Sequence, residues 1–193
     1  MLRDRGIAGA SLDEIMEAAE LTRGGFYAHF SDKNALVAEA LDLAFREARE
    51  NLLTPKTQEQ RSGRGWIEFA SRRYVSHDHV REPTTRCPMP PLTGEIAHAD
   101  ALVRAVFTKN VRENVDTAVK LIGSRGKHSR AFAIRMLCSW LGSLMVARAV
   151  DDEAFASEVL EAARTDTLRD YDARQEKTSR VSRKKRVQKD TAK

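Results

Sequence analysis

The sequence lacks a hydrophobic run long enough to cross a lipid bilayer. Its longest nearly apolar stretch covers residues 136–147, which is twelve residues, whereas a membrane span needs about 20. The first residues also lack the apolar stretch of a signal peptide, so we expect a cytoplasmic protein that does not bind membranes. Two cysteines, Cys87 and Cys138, are too few for the disulfide framework of a small secreted protein.

Proline and strand-like patterns are also scarce. No proline precedes Pro55 and none follows Pro91, and an interior proline would cost a helix about 3 kcal/mol. No β-branched run alternates with polar residues over the length of a strand. The sequence therefore predicts an all-α protein. We expect a loop over residues 77–91, where four prolines lie close together.

The charges are balanced over most of the chain. Residues 1–169 contain 24 basic and 24 acidic side chains, whereas residues 170–193 contain nine basic and four acidic ones, which accounts for the net charge of +5. The tail, 170–193, has almost no large apolar side chains, so we expect it to be disordered. The rest divides into an N-terminal domain, 1–53, and a helical domain, 54–169.

Two short helices with a tight turn between them are predicted over residues 11–19 and 22–30. Ser11 and Glu14 form a capping box at the start of the first helix. Such a pair is typical of a helix-turn-helix, whose second helix enters the major groove of DNA. Glycines 24 and 25 lie in the first turn of that second helix, where they would allow the backbone to approach DNA closely.

The N-terminal domain resembles a known family. Sixteen positions share its spacing: Gly6, Ser11, Leu12, Ile15, Ala18, Ala19, Leu21, Thr22, Gly24, Phe26, Tyr27, His29, Phe30, Lys33, Ala35 and Leu36. Residues 7–45 are thereby similar to the DNA-binding domain of TetR/AcrR-type repressors. The family has a full helix before the position of Gly6, and most of that helix is missing here. We therefore expect the native polypeptide to begin upstream of Met1.

The resemblance implies a transcriptional regulator that binds operator DNA. Arg23 can bond a guanine edge in bidentate fashion, whereas Thr22, Tyr27 and Lys33 can bind phosphates. We expect Phe26 and Phe30 to lie in the core. The predicted DNA-binding set is Ser11, Thr22, Arg23, Gly24, Gly25, Tyr27, His29 and Lys33. The basic tail is expected to add sequence-independent affinity for DNA.

Three departures weaken the resemblance, and two of them, the missing first helix and the negative charge of the N-terminal domain, favour an alternative function. The third is Glu20, at a turn position where the family usually has glycine: either it adopts a positive φ at a cost of about 1 kcal/mol, or the turn differs here. Residues 1–53 carry six basic and ten acidic side chains, a net charge of −4, which is unfavourable for binding phosphates. The alternative is a helical interaction protein that does not bind DNA and acts by dimerising with a full-length relative.

The helical domain is expected to bind a small-molecule inducer and to form a homodimer. The resemblance implies an apolar ligand pocket, and ordinary core packing explains the same residues equally well: Trp66, Phe69, Phe107, Val111, Met136 and Trp140. Dimerisation is expected through a four-helix bundle made by helices 129–150 and 152–169 of each subunit. The residues predicted at that interface are Leu137, Leu141, Leu144, Met145, Phe155 and Val159.

Other reactive residues give weaker signals. Cys87 could act as a sensor if Arg86 lowered its thiol pKa, although an incidental cysteine is the simpler interpretation. Cys138 is expected in the core. The spacing of His77, His79, Cys87 and His98 matches no zinc pattern, so no metal or cofactor is predicted. No nucleophile–base pair or phosphate-binding loop is present, so the sequence does not predict an enzyme.

Overall fold

Helices form the fold throughout the part of the chain that the structure describes. The structure, a computed structural model, describes residues 2–82, 87–123 and 127–190, with side chains for all of them except Arg23, Lys127 and residues 180–190. The elements are α1 Leu2–Arg5, α2 Leu12–Ala18, α3 Arg23–Tyr27, α4 Lys33–Ala48, a π-helix Arg49–Leu53, α5 Gly63–Tyr74, α6 His77–Arg81, α7 Met89–Ile96, α8 Ala101–Ile122, α9 Lys127–Ala149 and α10 Glu153–Asp190. The all-α prediction is confirmed, and these residues contain no strand.

Polar side chains begin several helices by accepting hydrogen bonds from backbone N–H groups that have no partner inside the helix. Ser11 caps α2, Thr22 caps α3 and Asp32 caps α4. Asp100 caps α8, which ends where Gly123 adopts a φ of +75°. These helix ends are set by short-range chemistry, and for this reason the sequence predicts most of them closely.

The predicted loop over residues 77–91 is wrong in part. Ser76 accepts a hydrogen bond from His79 N and begins the short helix α6. Helix α7 begins at Met89, with Pro90 and Pro91 in its first turn. Proline is tolerated there because the first N–H groups of a helix need no partner inside it. Pro90 and Pro91 therefore mark the start of α7, although the sequence predicts that prolines interrupt helical structure over the whole of residues 77–91.

The core of the helical domain is built around α9. Trp140 is fully buried, and its indole N–H donates to Thr167 Oγ1 of α10 at 3.0 Å. In the described residues one segment, 128–149, is apolar and long enough to cross a membrane by length and composition alone, a test that buried core helices also pass. Its buried face packs against α8 and α10, so α9 is the central helix of this domain.

Helix α10 continues well past the point where we expected disorder. It extends to Asp190, whereas the sequence predicts a disordered tail from residue 170. Tyr171 is buried against Phe132, and Arg174 bonds Asp170 one turn earlier. The segment contains no glycine or proline, so nothing stops a helix that is already nucleated by the packed residues before it.

Helix α4 joins the N-terminal domain to the helical domain. At its first turn, Lys33 Nζ donates to the Ile7 carbonyl at 2.7 Å. Near its end, Phe45 packs edge-on against Phe107 of α8, with ring centroids 5.8 Å apart. A second link comes from α7, where Glu95 accepts a hydrogen bond from Ala8 N at 2.9 Å. The orientation of the N-terminal domain is therefore set by α4 and α7 together.

Candidate DNA-binding surface

The predicted helix-turn-helix is formed by α2 and α3. The capping box is complete, because Glu14 N donates to Ser11 Oγ at 3.2 Å and Ser11 N donates to Glu14 Oε2 at 2.9 Å. The bonds that Ser11 N and Ser11 Oγ donate to the Glu14 carboxylate lower the pKa of Glu14, because they stabilise its ionised form. Ser11, predicted to bind DNA, thus has a structural role that fixes the start of α2.

The turn between α2 and α3 depends on one strained residue. Glu20 has a φ of +55°, which confirms the conformation expected at this position. Directly after it, Leu21 N donates to Met16 O at 2.9 Å and closes the turn. A residue with a side chain costs about 1 kcal/mol in this conformation, so the turn between α2 and α3 is strained at Glu20.

The first turn of α3 leaves open space around its two glycines. A Cβ atom built on Gly24 would meet only Thr22 Oγ1, at 3.9 Å, and one on Gly25 would meet the same atom at 3.6 Å. Both are ordinary van der Waals distances, and neither glycine has a positive φ. The fold itself therefore has no steric need for glycine here, although glycine weakens a helix by about 1 kcal/mol relative to alanine.

The aromatic residues of α3 divide between core and surface. Phe26 is 1% exposed and stacks on Phe30 with ring centroids 5.5 Å apart, as the core prediction requires. Tyr27 is 62% exposed, with its ring edge-on to Phe26 at 5.0 Å. The base of the Tyr27 ring is thus held by the core, while its hydroxyl lies outside it.

The other predicted DNA contacts have mixed outcomes. Thr22 and His29 are exposed beside α3, and Thr22 also caps that helix. Lys33 is half-buried, and its ammonium group bonds the Ile7 carbonyl. This bond links Lys33 to the rest of the N-terminal domain, and its predicted phosphate contact stays a prediction, because an ammonium group that bonds one carbonyl keeps two further N–H donors. The side chain of Arg23 lies outside the described residues, so its predicted base contact stays a prediction.

The six residues predicted to line a ligand pocket do not share one cavity among those described. Trp66 and Trp140 are fully buried, and the Trp66 indole donates to the Leu53 carbonyl at 2.9 Å. Met136 is 3% exposed, Phe69 lies on a surface groove under the Arg73 guanidinium, and Phe107 packs on Phe45. These five side chains are packing residues, which corrects the pocket prediction for them.

The sixth residue, Val111, lines an apolar cavity of about 240 Å³ between α8 and α9. The cavity walls come from both helices and from the start of α7: Met89, Val111, Arg112, Val115, Arg130, Ile134, Leu137, Cys138 and Leu141. Arg130 is paired with Asp116. The sequence missed this cavity because its lining depends on which face of α9 meets α8, and α9 is apolar on nearly all sides.

Cys87 is the buried cysteine and Cys138 the exposed one, so the prediction for Cys138 is wrong, whereas Cys87 fits the incidental interpretation. Cys87 is 2% exposed, and burial raises the pKa of its thiol despite a hydrogen bond from the Tyr74 hydroxyl and the nearby Arg148. A raised pKa disfavours the reactive thiolate, which argues against a sensor at Cys87. Arg86 lies outside the described residues. Cys138, expected in the core, is exposed on α9.

The predicted dimer residues lie on two different faces. Leu137 and Leu144 are 9% and 0% exposed inside this chain, which corrects their assignment to an interface. Met145 and Phe155 are exposed, and Leu141 and Val159 are half-buried beside them. Two further apolar residues, Ile134 and Val146, extend the exposed face of α9. Within the described residues, no group of His, Cys, Asp or Glu side chains could hold a metal ion.

The geometry of α2, the strained turn and α3 defines a helix-turn-helix protein. Residues 1–40 match the family model for bacterial regulatory proteins of the tetR family. The helix-turn-helix of this chain is thus similar to that family, and the fold over most of the chain is similar to that of solved TetR-family transcriptional regulators. No curated protein matches the chain.

Several solved structures share this fold over both domains. A TetR-family transcriptional regulator from Cytophaga hutchinsonii is 23% identical with a TM-score of 0.72, covering 86% of each chain. A TetR-family regulator from Streptomyces coelicolor is 24% identical with a TM-score of 0.68, covering 88% of this chain and 89% of its own. The reduced form of NemR from E. coli is 18% identical with a TM-score of 0.65, covering 86% and 88%.

Proposed function

We propose that this chain is a non-enzymatic transcriptional repressor of the cytoplasm that binds operator DNA as a homodimer and is released by a small molecule. The observation that carries DNA binding is the pair Gly24 and Gly25. The fold has room for a side chain at both positions, and both weaken α3. Close approach of a DNA backbone explains why side chains are absent from the turn that would face the major groove.

Dimerisation is supported by the exposed apolar face of α9 and α10. Ile134, Met145, Val146 and Phe155 are each between 42% and 46% exposed. Large apolar side chains grouped on one face are typical of an interface. Two-fold packing of these helices would place the two recognition helices on one face of DNA, about 34 Å apart, which is one helical turn.

Release by a ligand is supported by the cavity between α8 and α9 and by the polar side chains of α8 next to that cavity. Val111 and Val115 line the cavity, and the neighbouring Asn110 donates to Asp42 of α4 from the same helix. Arg49 donates to Asn110 Oδ1 at 2.9 Å and to Asn114 Oδ1 at 3.3 Å. An apolar ligand that shifts α8 would thereby move the helix that carries the DNA-binding domain.

The test of DNA binding replaces Gly24 by alanine. We expect Gly24→Ala to leave the fold intact, to raise helix stability by up to about 1 kcal/mol, and to weaken binding at least tenfold. The probe is duplex DNA flanking the protein's own gene, followed by fluorescence anisotropy. Gly94→Ala is the matched control, since a Cβ there meets nothing within 4 Å and Gly94 lies in α7, away from the helix-turn-helix. Equal affinities for both variants would contradict the proposal.

The interaction-protein alternative is favoured by the acidic N-terminal domain. The net charge of −4 over residues 1–53, with Lys33 bonded to a backbone carbonyl, leaves few cations for phosphates. This alternative predicts that the wild-type chain binds the flanking duplexes no more tightly than a random-sequence duplex. It also predicts that Gly24→Ala changes nothing except stability, which the same anisotropy experiment measures.

A further inference from the structure

The C-terminal part of α10 is strongly basic in sequence, and the proposed function does not use it. Residues 177–189, here called the basic arm, contain seven Lys or Arg and no Asp or Glu. They belong to the helix that extends to Asp190. Seven positive charges on about 20 Å of helix form a concentrated site for a polyanion.

The contacts of the helices show on which side of the molecule the basic arm lies. Helix α4 leads away from the N-terminal domain into the π-helix, where the Asn51 and Leu53 carbonyls accept hydrogen bonds from α5. Asn51 is paired with Arg73, late in α5, and Leu53 with Trp66, early in α5. Helix α5 therefore runs antiparallel to α4, back towards the N-terminal domain.

Helix α10 in turn runs antiparallel to α5. Ser157 contacts His77 just after α5, whereas Arg64 at the beginning of α5 bonds Asp172. Helix α10 thus runs away from the DNA-binding domain, and the basic arm continues in that direction. The arm begins about 30 Å beyond Ser157, from a rise of 1.5 Å per residue, so it lies at the end of the molecule opposite to α3.

This placement disagrees with the expectation that the tail strengthens binding to the operator. A duplex is about 20 Å wide, and one held on α3 lies at the other end of the molecule from the basic arm. We propose that the basic arm binds a second segment of double-stranded DNA, so that one regulator bridges two duplexes. This inference rests on the proposed DNA binding by the helix-turn-helix.

The composition of the arm favours nucleic-acid phosphates over a lipid surface. A helix that lies on a membrane needs an apolar face with large side chains such as Trp, Phe or Leu. The basic arm contains only Val181 and Val187 as large apolar residues. Binding to phosphates needs only positive charge, because the release of counterions provides the affinity.

The test measures capture of a second duplex. A biotinylated duplex flanking the protein's own gene is immobilised and loaded with the full chain, and a fluorescent random-sequence duplex is then added. We expect the wild type to capture it at 0.1 M salt. The arm variant R183Q/K184Q/K185Q/R186Q should lose capture at least tenfold, while its binding to the first duplex changes less than twofold. The slope of the logarithm of the binding constant for the second duplex against the logarithm of the salt concentration should be smaller in the arm variant than in the wild type, by about 3–4 units.

A matched variant removes the same charge from the body of the molecule. K56Q/R61Q/R104Q/K120Q replaces four exposed basic residues outside the arm, and it should capture the second duplex like the wild type. Equal capture by the arm variant and the wild type would overturn the proposal. So would equal losses of affinity for both duplexes, because the arm would then act on the operator. The proposal would also be overturned if the wild type bound anionic vesicles of phosphatidylserine and phosphatidylcholine, and if the arm variant lost that binding but still captured the second duplex.

A further variant separates this inference from the proposed function. Gly24→Glu adds a negative charge to α3, where a Cβ atom meets only Thr22 Oγ1. If both proposals hold, Gly24→Glu binds the flanking duplex and the random duplex with equal affinity, through the arm alone, whereas the wild type prefers the flanking duplex. If the helix-turn-helix does not bind DNA, the wild type behaves like Gly24→Glu. If the arm does not bind DNA, the wild type is retained but captures nothing.

Discussion

The two domains of this chain are stabilised in different ways. Before α4, the large side chains buried among the described residues are Met16 and Phe26, at 6% and 1% exposed, and short-range caps begin the helices that carry them. The helical domain instead buries Trp66 and Trp140 with both indole N–H groups bonded. The DNA-binding domain therefore depends on local hydrogen bonds, whereas the helical domain depends on packing between distant helices. For this reason the two domains tolerate different substitutions.

Trp140→Ala should have the largest effect on stability. The ring is fully buried, packs against Tyr74 with centroids 5.8 Å apart, and donates to Thr167. We expect a loss of about 3–5 kcal/mol in the free energy of unfolding, measured by urea denaturation. Leu102→Ala, 48% exposed on α8, is the control and should cost far less. Similar losses for the two variants would show that the helical domain is not held by its core.

Arg49→Met tests the link between the two domains. Methionine keeps the aliphatic stem but leaves the buried amide oxygens of Asn110 and Asn114 without their donor. We expect a loss of about 1–3 kcal/mol in the free energy of unfolding. Arg46→Met removes an arginine one turn earlier, 60% exposed and paired with Asp42, and should cost less than about 0.5 kcal/mol. A larger loss of stability for Arg46→Met than for Arg49→Met would show that the hydrogen bonds of Arg49 do not hold the two domains together.

Glu20→Gly should stabilise the N-terminal domain. Glycine adopts the positive φ of this turn without strain, so we expect a gain of about 1 kcal/mol. Glu17→Gly changes the same residue type inside α2 and should lose about 1 kcal/mol, because glycine weakens a helix. Thermal melting followed by circular dichroism measures both variants. A change of the same sign in both would mean that the turn carries no strain.

Asp42→Asn should give the smallest effect, visible only in acid. Hydrogen bonds from Asn110 and Lys109 hold the pKa of Asp42 below its ordinary value near 3.8. A lowered folded-state pKa gives stability that is present above the ordinary pKa and is lost as the pH falls through the folded pKa. The wild type should therefore lose stability below about pH 4, and Asp42→Asn should lose less over that range. Urea denaturation between pH 2 and 6 compares the two slopes.

The sequence predicts the DNA-binding domain better than the helical domain. The caps at Ser11 and Thr22 and the strained turn at Glu20 depend on residues three or four positions apart. The faces of α9 depend on contacts with α8 and α10, so the roles of Cys138 and Leu144 were wrong. A helix that is apolar on nearly all sides gives no periodic signal to choose its buried face.

Long-range hydrogen bonds explain two further differences between the sequence-based predictions and the structure. Lys33 bonds a carbonyl 26 residues earlier in the chain, a contact that the sequence does not predict. Cys87 is buried against Tyr74 of α5, although its own neighbours in sequence are prolines and polar residues. Neither contact leaves a pattern in the sequence, because each joins residues from different elements through a single pair of atoms.

The π-helix Arg49–Leu53 has a consequence for how this chain can vary. The Asn51 side chain is exposed, but its backbone carbonyl accepts two hydrogen bonds from Arg73, at 2.9 and 2.7 Å. A carbonyl is present whichever residue occupies position 51, so substitutions there should be neutral. Deleting or inserting one residue would instead rotate the following carbonyls by about 100° and misalign them with α5. Homologous chains should therefore differ freely in sequence at this position while keeping the same number of residues between α4 and α5.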